Sequence, residues 1–204
     1  GVDGDDTING GNDEDRISAG AGNDVVNGDD GNDSMNGNIG RDTMFGGLGD
    51  DVLRGDGDND TLSGDEGNDS IQGLAGADSL LGLAGDDTLD GGSGNDRVVG
   101  GDDTDLIGGG AGNDVVFGDN EDGTGAGDDS IFGNDGNDTL SGQDGNDLLN
   151  GQDGNDRADG EHRALFLIDD KSGGHDGSRQ CPVSRGGAFQ LEVGGPAQAV
   201  EEGF

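Results

Sequence analysis

One aliphatic side chain returns every nine residues over the first three quarters of this 204-residue chain. The series runs Ile8, Ile17, Val26, Met35, Met44, Leu53, Leu62, Ile71, Leu80, Leu89, Val98, Ile107, Val116, Ile131, Leu140, Leu149 and Ala158, and only the step from Val116 to Ile131 is irregular. A helix buries a face with apolar residues three and four apart, and this chain lacks that spacing. The pattern instead predicts a three-residue strand in each repeat, its middle residue turned inward and its neighbours outward. Six residues of turn, rich in Gly, Asp and Asn, precede each strand. The phrase is plainest in Gly64-Asp65-Glu66-Gly67-Asn68-Asp69-Ser70-Ile71-Gln72. Thirteen copies fill residues 1–117, a long copy with six extra residues spans 118–132, and three more reach residue 159, making seventeen. A fixed short period marks a stacked repeat architecture. One inward aliphatic per repeat suits a thin core between two parallel sheets, with two repeats forming each eighteen-residue coil.

The polar positions are as strict as the apolar one. Position 1 is Gly in sixteen copies, Ala19 being the exception, and position 4 is Gly in fourteen, where Asp13, Asp58 and Asp103 depart. Glycine at both places allows positive φ and close backbone approach, hence a tight turn that exposes its carbonyls. Position 6 is Asp in every copy: Asp6, Asp15, Asp24, Asp33, Asp42, Asp51, Asp60, Asp69, Asp78, Asp87, Asp96, Asp105, Asp114, Asp129, Asp138, Asp147 and Asp156. Coils stacked about 4.8 Å apart would bring equivalent aspartates together along each edge.

This nonapeptide resembles the hemolysin-type calcium-binding repeats, the RTX or repeats-in-toxins family, whose pattern is G-G-x-G-x-D-x-U-x. The resemblance covers residues 1–159. It implies an all-β fold, a right-handed parallel β-roll or β-solenoid. It also implies calcium between adjacent turns, held by the position-6 aspartates and turn carbonyls. The departures at Asp13, Asp58 and Asp103 put the turns of those three copies in question.

Composition changes the picture in one respect. With 26% hydrophobic residues, 49 glycines and a formal charge of −38, the chain has the signature of disorder unless something cationic offsets it. Residues 1–159 carry 40 acidic and five basic side chains, a net −35. Seventeen turns on two edges leave fifteen gaps between neighbours, and fifteen divalent ions would bring thirty positive charges. Carboxylate and carbonyl oxygens suit calcium; magnesium keeps its waters, and zinc would want the His or Cys that the repeats lack.

The repeat stops at residue 160, and residues 160–204 form a non-repeat C-terminal tail holding both histidines, both prolines and Cys181. Its apolar run Ala164-Leu165-Phe166-Leu167-Ile168 is the candidate cap over the open end of the stack, read as a strand or short helix. In the family such a tail commonly carries a type I secretion signal. A single cysteine excludes an internal disulfide. No apolar run is long enough to span a bilayer, and the N-terminus has no signal-peptide pattern. The chain starts in phase at position 1 without Met, and is read as a piece of a longer or processed protein.

Catalysis is not expected. No H-E-x-x-H or nucleophile-elbow pattern is present, and His162, His175 and Cys181 are read as tail residues without a catalytic setting. The charge argues against nucleic acid. The expected role is a calcium-responsive folding module of a secreted or cell-surface bacterial protein, disordered where calcium is scarce and folded outside the cell. The alternative is a structural or adhesive spacer in a surface layer, matrix or filament. Ice binding would need a threonine ladder at position 3, which is absent. Outward position-9 residues Leu81, Val99 and Phe117, with Val115 beside them, are expected to form an apolar stripe met by part of the tail, a second copy or a partner chain. In the long copy, the six extra residues are read as a bulge from the turn, with Asp119, Glu121 and Asp122 in a solvated loop or, as the alternative, holding a further ion.

Overall fold

The computed structural model describes residues 1–121, 124–160 and 165–167. Every regular element among them is a β-strand. The first six are β1 (Thr7–Asn12), β2 (Arg16–Ala21), β3 (Val25–Asp30), β4 (Ser34–Ile39), β5 (Thr43–Leu48) and β6 (Val52–Gly57). The next six are β7 (Thr61–Glu66), β8 (Ser70–Ala75), β9 (Ser79–Ala84), β10 (Thr88–Ser93), β11 (Arg97–Asp102) and β12 (Leu106–Ala111). The last are β13 (Val115–Phe117), β14 (Ser130–Asp135), β15 (Thr139–Ser141), β16 (Leu148–Asn150), β17 (Arg157–Asp159) and β18 (Leu165–Leu167). His162, His175, Cys181 and the tail segment proposed to meet the apolar stripe lie outside the described residues, apart from the backbone of β18.

Odd-numbered strands form one nine-stranded sheet and even-numbered strands the other. All pairing is parallel, and residues eighteen apart are partners, as in Ile71 with Leu89. One coil therefore consists of two repeats, and the chain is a two-sheet parallel β-solenoid. The long copy changes the interval to twenty-four, as in Ile107 with Ile131. The ladder then resumes. The even sheet continues past residue 160, where Phe166 pairs with Leu149.

Position 8 forms the core as a single file. From Val26 to Leu149 these side chains are 0–1% exposed, with Ile8 and Ile17 partly covered at the first coil. Each aliphatic group packs on the equivalent residue of the coils above and below, which is why one residue per repeat is enough.

Two details depart from the sequence reading. Most strands are six residues long rather than three, running from position 7 to position 3 of the next copy. Within them the paired residues are 7 to 9 and then 2 and 3, as in Thr88 to Asp90 followed by Gly92 and Ser93. Position 1 lies between the two pairings, and the turn proper shrinks to positions 4 to 6. The second departure concerns glycine. Positive φ falls at positions 2 and 4, not at 1, and position 2 often holds another residue, as at Asp65 (φ 75) and Leu83 (φ 85). The turns at Asp58 (φ 72) and Asp103 (φ 74) keep the left-handed backbone, which Asp tolerates better than most residues.

Candidate metal centre

Position-1 glycine makes space in sixteen of the seventeen copies. A Cβ on Gly28 would overlap both Asp33 Oδ2 and the Gly46 carbonyl oxygen, and one on Gly82 would overlap Asp87 Oδ2 and the Gly100 carbonyl. The position-6 carboxylate thus folds back under the first residue of its own repeat, beside a carbonyl from the next coil. Glycine keeps that cradle open in sixteen copies; Ala19, itself fully buried, is the one Cβ at this position, and Asp24 of the same copy is still only 1% exposed.

The seventeen aspartates make two rows, one per edge. Odd copies contribute Asp6, Asp24, Asp42, Asp60, Asp78, Asp96, Asp114, Asp138 and Asp156; even copies contribute Asp15, Asp33, Asp51, Asp69, Asp87, Asp105, Asp129 and Asp147. The fourteen from Asp24 to Asp147, by this order within the rows, are only 1–3% exposed, while Asp6, Asp15 and Asp156 are half-buried. From Asp24 and Asp33 onward, each Oδ1 accepts a hydrogen bond from the backbone N–H of the aspartate one coil earlier. Examples are Asp51 N–H to Asp69 Oδ1 at 2.7 Å and Asp69 N–H to Asp87 Oδ1 at 2.7 Å. The long copy does not interrupt this, since Asp105 N–H reaches Asp129 Oδ1 at 2.9 Å.

The second oxygen is different. In all fourteen deeply buried aspartates Oδ2 is inaccessible and has no hydrogen-bond partner. An ionised carboxylate half-satisfied in this way is costly to bury. Burial accordingly pushes most of these acids up, the nine below among them, with the N–H on Oδ1 opposing it and repulsion from neighbouring carboxylates adding to it. Asp105 is raised to about 8, Asp60, Asp87 and Asp129 to about 7, and Asp51, Asp69, Asp96, Asp138 and Asp147 to about 6.

This donor set fits a hard divalent cation. Each of the fourteen deeply buried carboxylates offers an oxygen with no donor, and carbonyl oxygens of an adjacent coil lie beside the cradles, as at Gly28 and Gly82; this is the ligand chemistry of calcium. Among the described residues no three His, Cys, Asp or Glu side chains converge on one point. A cation here would therefore draw on carbonyls as well as on one or two carboxylates.

A second row was missed in the sequence. At position 5 the side-chain oxygen accepts from the position-5 N–H one coil later, as in Asn68 N–H to Asp50 Oδ1 at 3.0 Å and Asp86 N–H to Asn68 Oδ1 at 2.8 Å. It points along the stack in the opposite sense to the position-6 row. The signal was legible, because position 5 is Asp or Asn in thirteen of the seventeen copies. Ala77 accepts in its turn nothing from the coil above, though its own N–H donates to Asn59 Oδ1 at 2.9 Å.

The long copy is not a simple solvated bulge. Gly118 keeps the position-1 cradle over Asp129 Oδ2, and Gly125 stacks against Gly101, a position-2 residue. Six residues, 119–124, are therefore inserted between positions 1 and 2. Asp119 is 1% exposed. Glu121 is exposed and pairs with Arg97, whose guanidinium carbon lies 5.7 Å from the Phe117 ring centroid. Asp122 lies outside the described residues.

On the odd sheet the outward ladder runs Phe45, Ser63, Leu81, Val99 and Phe117. Val99 is only 3% exposed, with Leu81 and Phe117 flanking it in the same sheet. Val25, Phe45 and Val115, at 38% each, are exposed apolar members of this face.

No curated protein matches the chain. The family model for the RTX calcium-binding nonapeptide repeat matches residues 1–35, 36–71, 63–98, 72–107, 90–124 and 123–158. With the aspartate rows, the glycine cradles and the eighteen-residue coil, that coverage places this chain in the family of RTX repeats, which bind calcium.

Proposed function

We propose that residues 1–159 are a folding module, in a secreted or cell-surface bacterial protein, that calcium switches from disordered to rigid. The observation that carries this reading is the set of fourteen buried Oδ2 atoms without a donor. The reading assigns the position-6 aspartates, with carbonyls of adjacent coils, as ligands to up to about fifteen ions, one for each gap along the two edges. Without cations the rows repel and remain half-satisfied, so the chain stays open. Where calcium is abundant, each ion ties two coils together. Binding in the range of extracellular modules, Kd ~10⁻⁴ to 10⁻³ M, would hold the switch off inside a cell and on outside it. No catalytic role is assigned to these residues. A partner chain or second copy is assigned to the Leu81, Val99 and Phe117 face, which would suit a structural or adhesive spacer.

Circular dichroism during a calcium titration tests the switch. Chelator should leave little β signal, millimolar calcium should produce it cooperatively, and equal magnesium should not. A chain already rich in β structure in chelator would overturn the proposal.

A further inference from the structure

The insertion in the long copy creates a hydrogen-bonded clamp whose two sides each carry a buried oxygen without a partner. Asp119 Oδ2 accepts the Asp144 N–H at 2.7 Å, and Gln143 Nε2 donates to the Asn120 carbonyl at 2.6 Å. These two bonds clamp residues 119–120 against 143–144. The Asn120 N–H donates to the Thr124 carbonyl at 3.1 Å and closes the inserted loop. Within the clamp, Asp119 Oδ1 and Gln143 Oε1 are both inaccessible and both without a hydrogen-bond partner. Asp119 is 1% exposed and Gln143 9%.

We propose that the inserted loop forms a divalent-cation site of its own, taking calcium on Asp119 Oδ1 and Gln143 Oε1. Neither residue belongs to the position-6 rows. Both free atoms are acceptors, so neither can satisfy the other, whereas one cation serves both. A carboxylate with an amide carbonyl is a hard-oxygen pair of the kind calcium takes. The surroundings are negative: Asp144 and Asp102 bear on Asp119, and Asp119 is foremost among the carboxylates that press on Asp147. The Gly127 N–H, which donates to the Asp144 carbonyl at 3.2 Å, also bears on the Asp119 carboxylate, but as the weakest of its influences. The site has a structural consequence. Strands β13 and β15 stop after three residues at this place, so the sheet loses the pairing of positions 2 and 3 there. An ion held between the loop and residue 143 would replace that lost ladder as the link between coils.

This inference rests on the calcium reading of the repeats, and the two can fail separately. Native mass spectrometry of the full chain, saturated with calcium, counts bound ions. Asp119→Asn keeps an oxygen for the Asp144 N–H but removes the charge; Gln143→Leu removes the carbonyl. Both variants should fold in calcium by circular dichroism, and Asp119→Asn should carry one ion fewer than the parent. Gln143→Leu should lose its last ion at a higher free-calcium concentration than the parent does. If both variants match the parent in ion number and in the release of the last ion, the two oxygens are served by water or a proton and the site does not exist. If the parent itself takes up no calcium, both the inference and the reading beneath it fall. Should Asp119→Asn fail to fold, Gln143→Leu alone decides between these outcomes.

Discussion

The position-8 file and the position-6 rows are buried to nearly the same degree, yet they act on the fold in opposite directions. Leu62, Ile71 and Leu80 are 0% exposed, and Asp60, Asp69 and Asp78 are 2–3% exposed. The aliphatic file stabilises the coil in any solution, since removing methylene groups from water is favourable whatever ions are present. The aspartate rows bring one satisfied and one unsatisfied oxygen per residue inside, and so oppose folding until a cation arrives. Burial alone therefore does not reveal whether a row holds the structure together. Its chemistry decides, and here it makes stability conditional on the solvent.

The largest effect should come from removing the ions. Adding chelator to the calcium-loaded chain should abolish most of the β signal in one cooperative step, and restoring calcium should return it. A graded loss, coil by coil, would mean that neighbouring coils do not share ions.

Truncating the file is next. Ile71→Ala should cost about 2–5 kcal/mol in calcium, measured by denaturant unfolding, because the cavity lies between two coils that cannot close over it. Ile8→Ala, at the partly covered first coil, should cost less.

Within the rows, Asp69→Ala removes the acceptor of the Asp51 N–H and, on the proposed reading, a ligand shared by two gaps. It should raise the calcium midpoint by roughly tenfold, a change of ~1.4 kcal/mol. Asp6→Ala, half-buried at the end of its row, should shift it much less. Equal midpoints would argue against ions shared between coils.

Acidity should act on the two states of the chain in opposite directions. Asp105 at about 8, Asp60, Asp87 and Asp129 at about 7, and Asp51 and Asp69 at about 6 all lie above the ordinary carboxylate value in the metal-free fold. Such groups bind more protons folded than unfolded. Their stabilising contribution is full below the unfolded value near 3.8 and disappears as pH rises through about 6 to 8. In chelator, lowering the pH from 8 to 5 should therefore increase β structure. In calcium, the same change should raise the midpoint, because protons and cations compete for the same oxygens. Circular dichroism at stepped pH reads both.

The smallest effect concerns the position-5 row. Ala77→Asn should supply the missing acceptor for the N–H of Asn95 and add about 0.5–1.5 kcal/mol in calcium, read from the denaturant midpoint. A loss of stability would show that the row cannot be extended through that coil.

Much of this was legible in the chain because a repeat multiplies each signal seventeen times. One inward aliphatic per copy determined the eighteen-residue coil and the division of copies between two sheets. An unbroken column of Asp pointed to the rows, and the absence of His and Cys narrowed the metal. Strand length was not legible. Positions 1 to 3 have the composition of a turn, yet in most copies positions 2 and 3 pair with the neighbouring coil, and the left-handed backbone at position 2 is held even by Leu74 and Leu83. The stacked ladder supplies hydrogen bonds that local propensity does not foresee.

Asp119 shows the limit most clearly. Its neighbours in the chain, Asn120, Glu121 and Asp122, describe a polar loop, which local sequence reads first as solvated and only second as an ion site. Gln143 and Asp144, two dozen residues further on, fold over it and bury it. A period describes what each copy does with the next, so the sequence by itself determined the coil, the core and the aspartate columns. Which carboxylate oxygen meets an N–H and which meets none depends on how far one coil lies from another, and only the tertiary structure decided that.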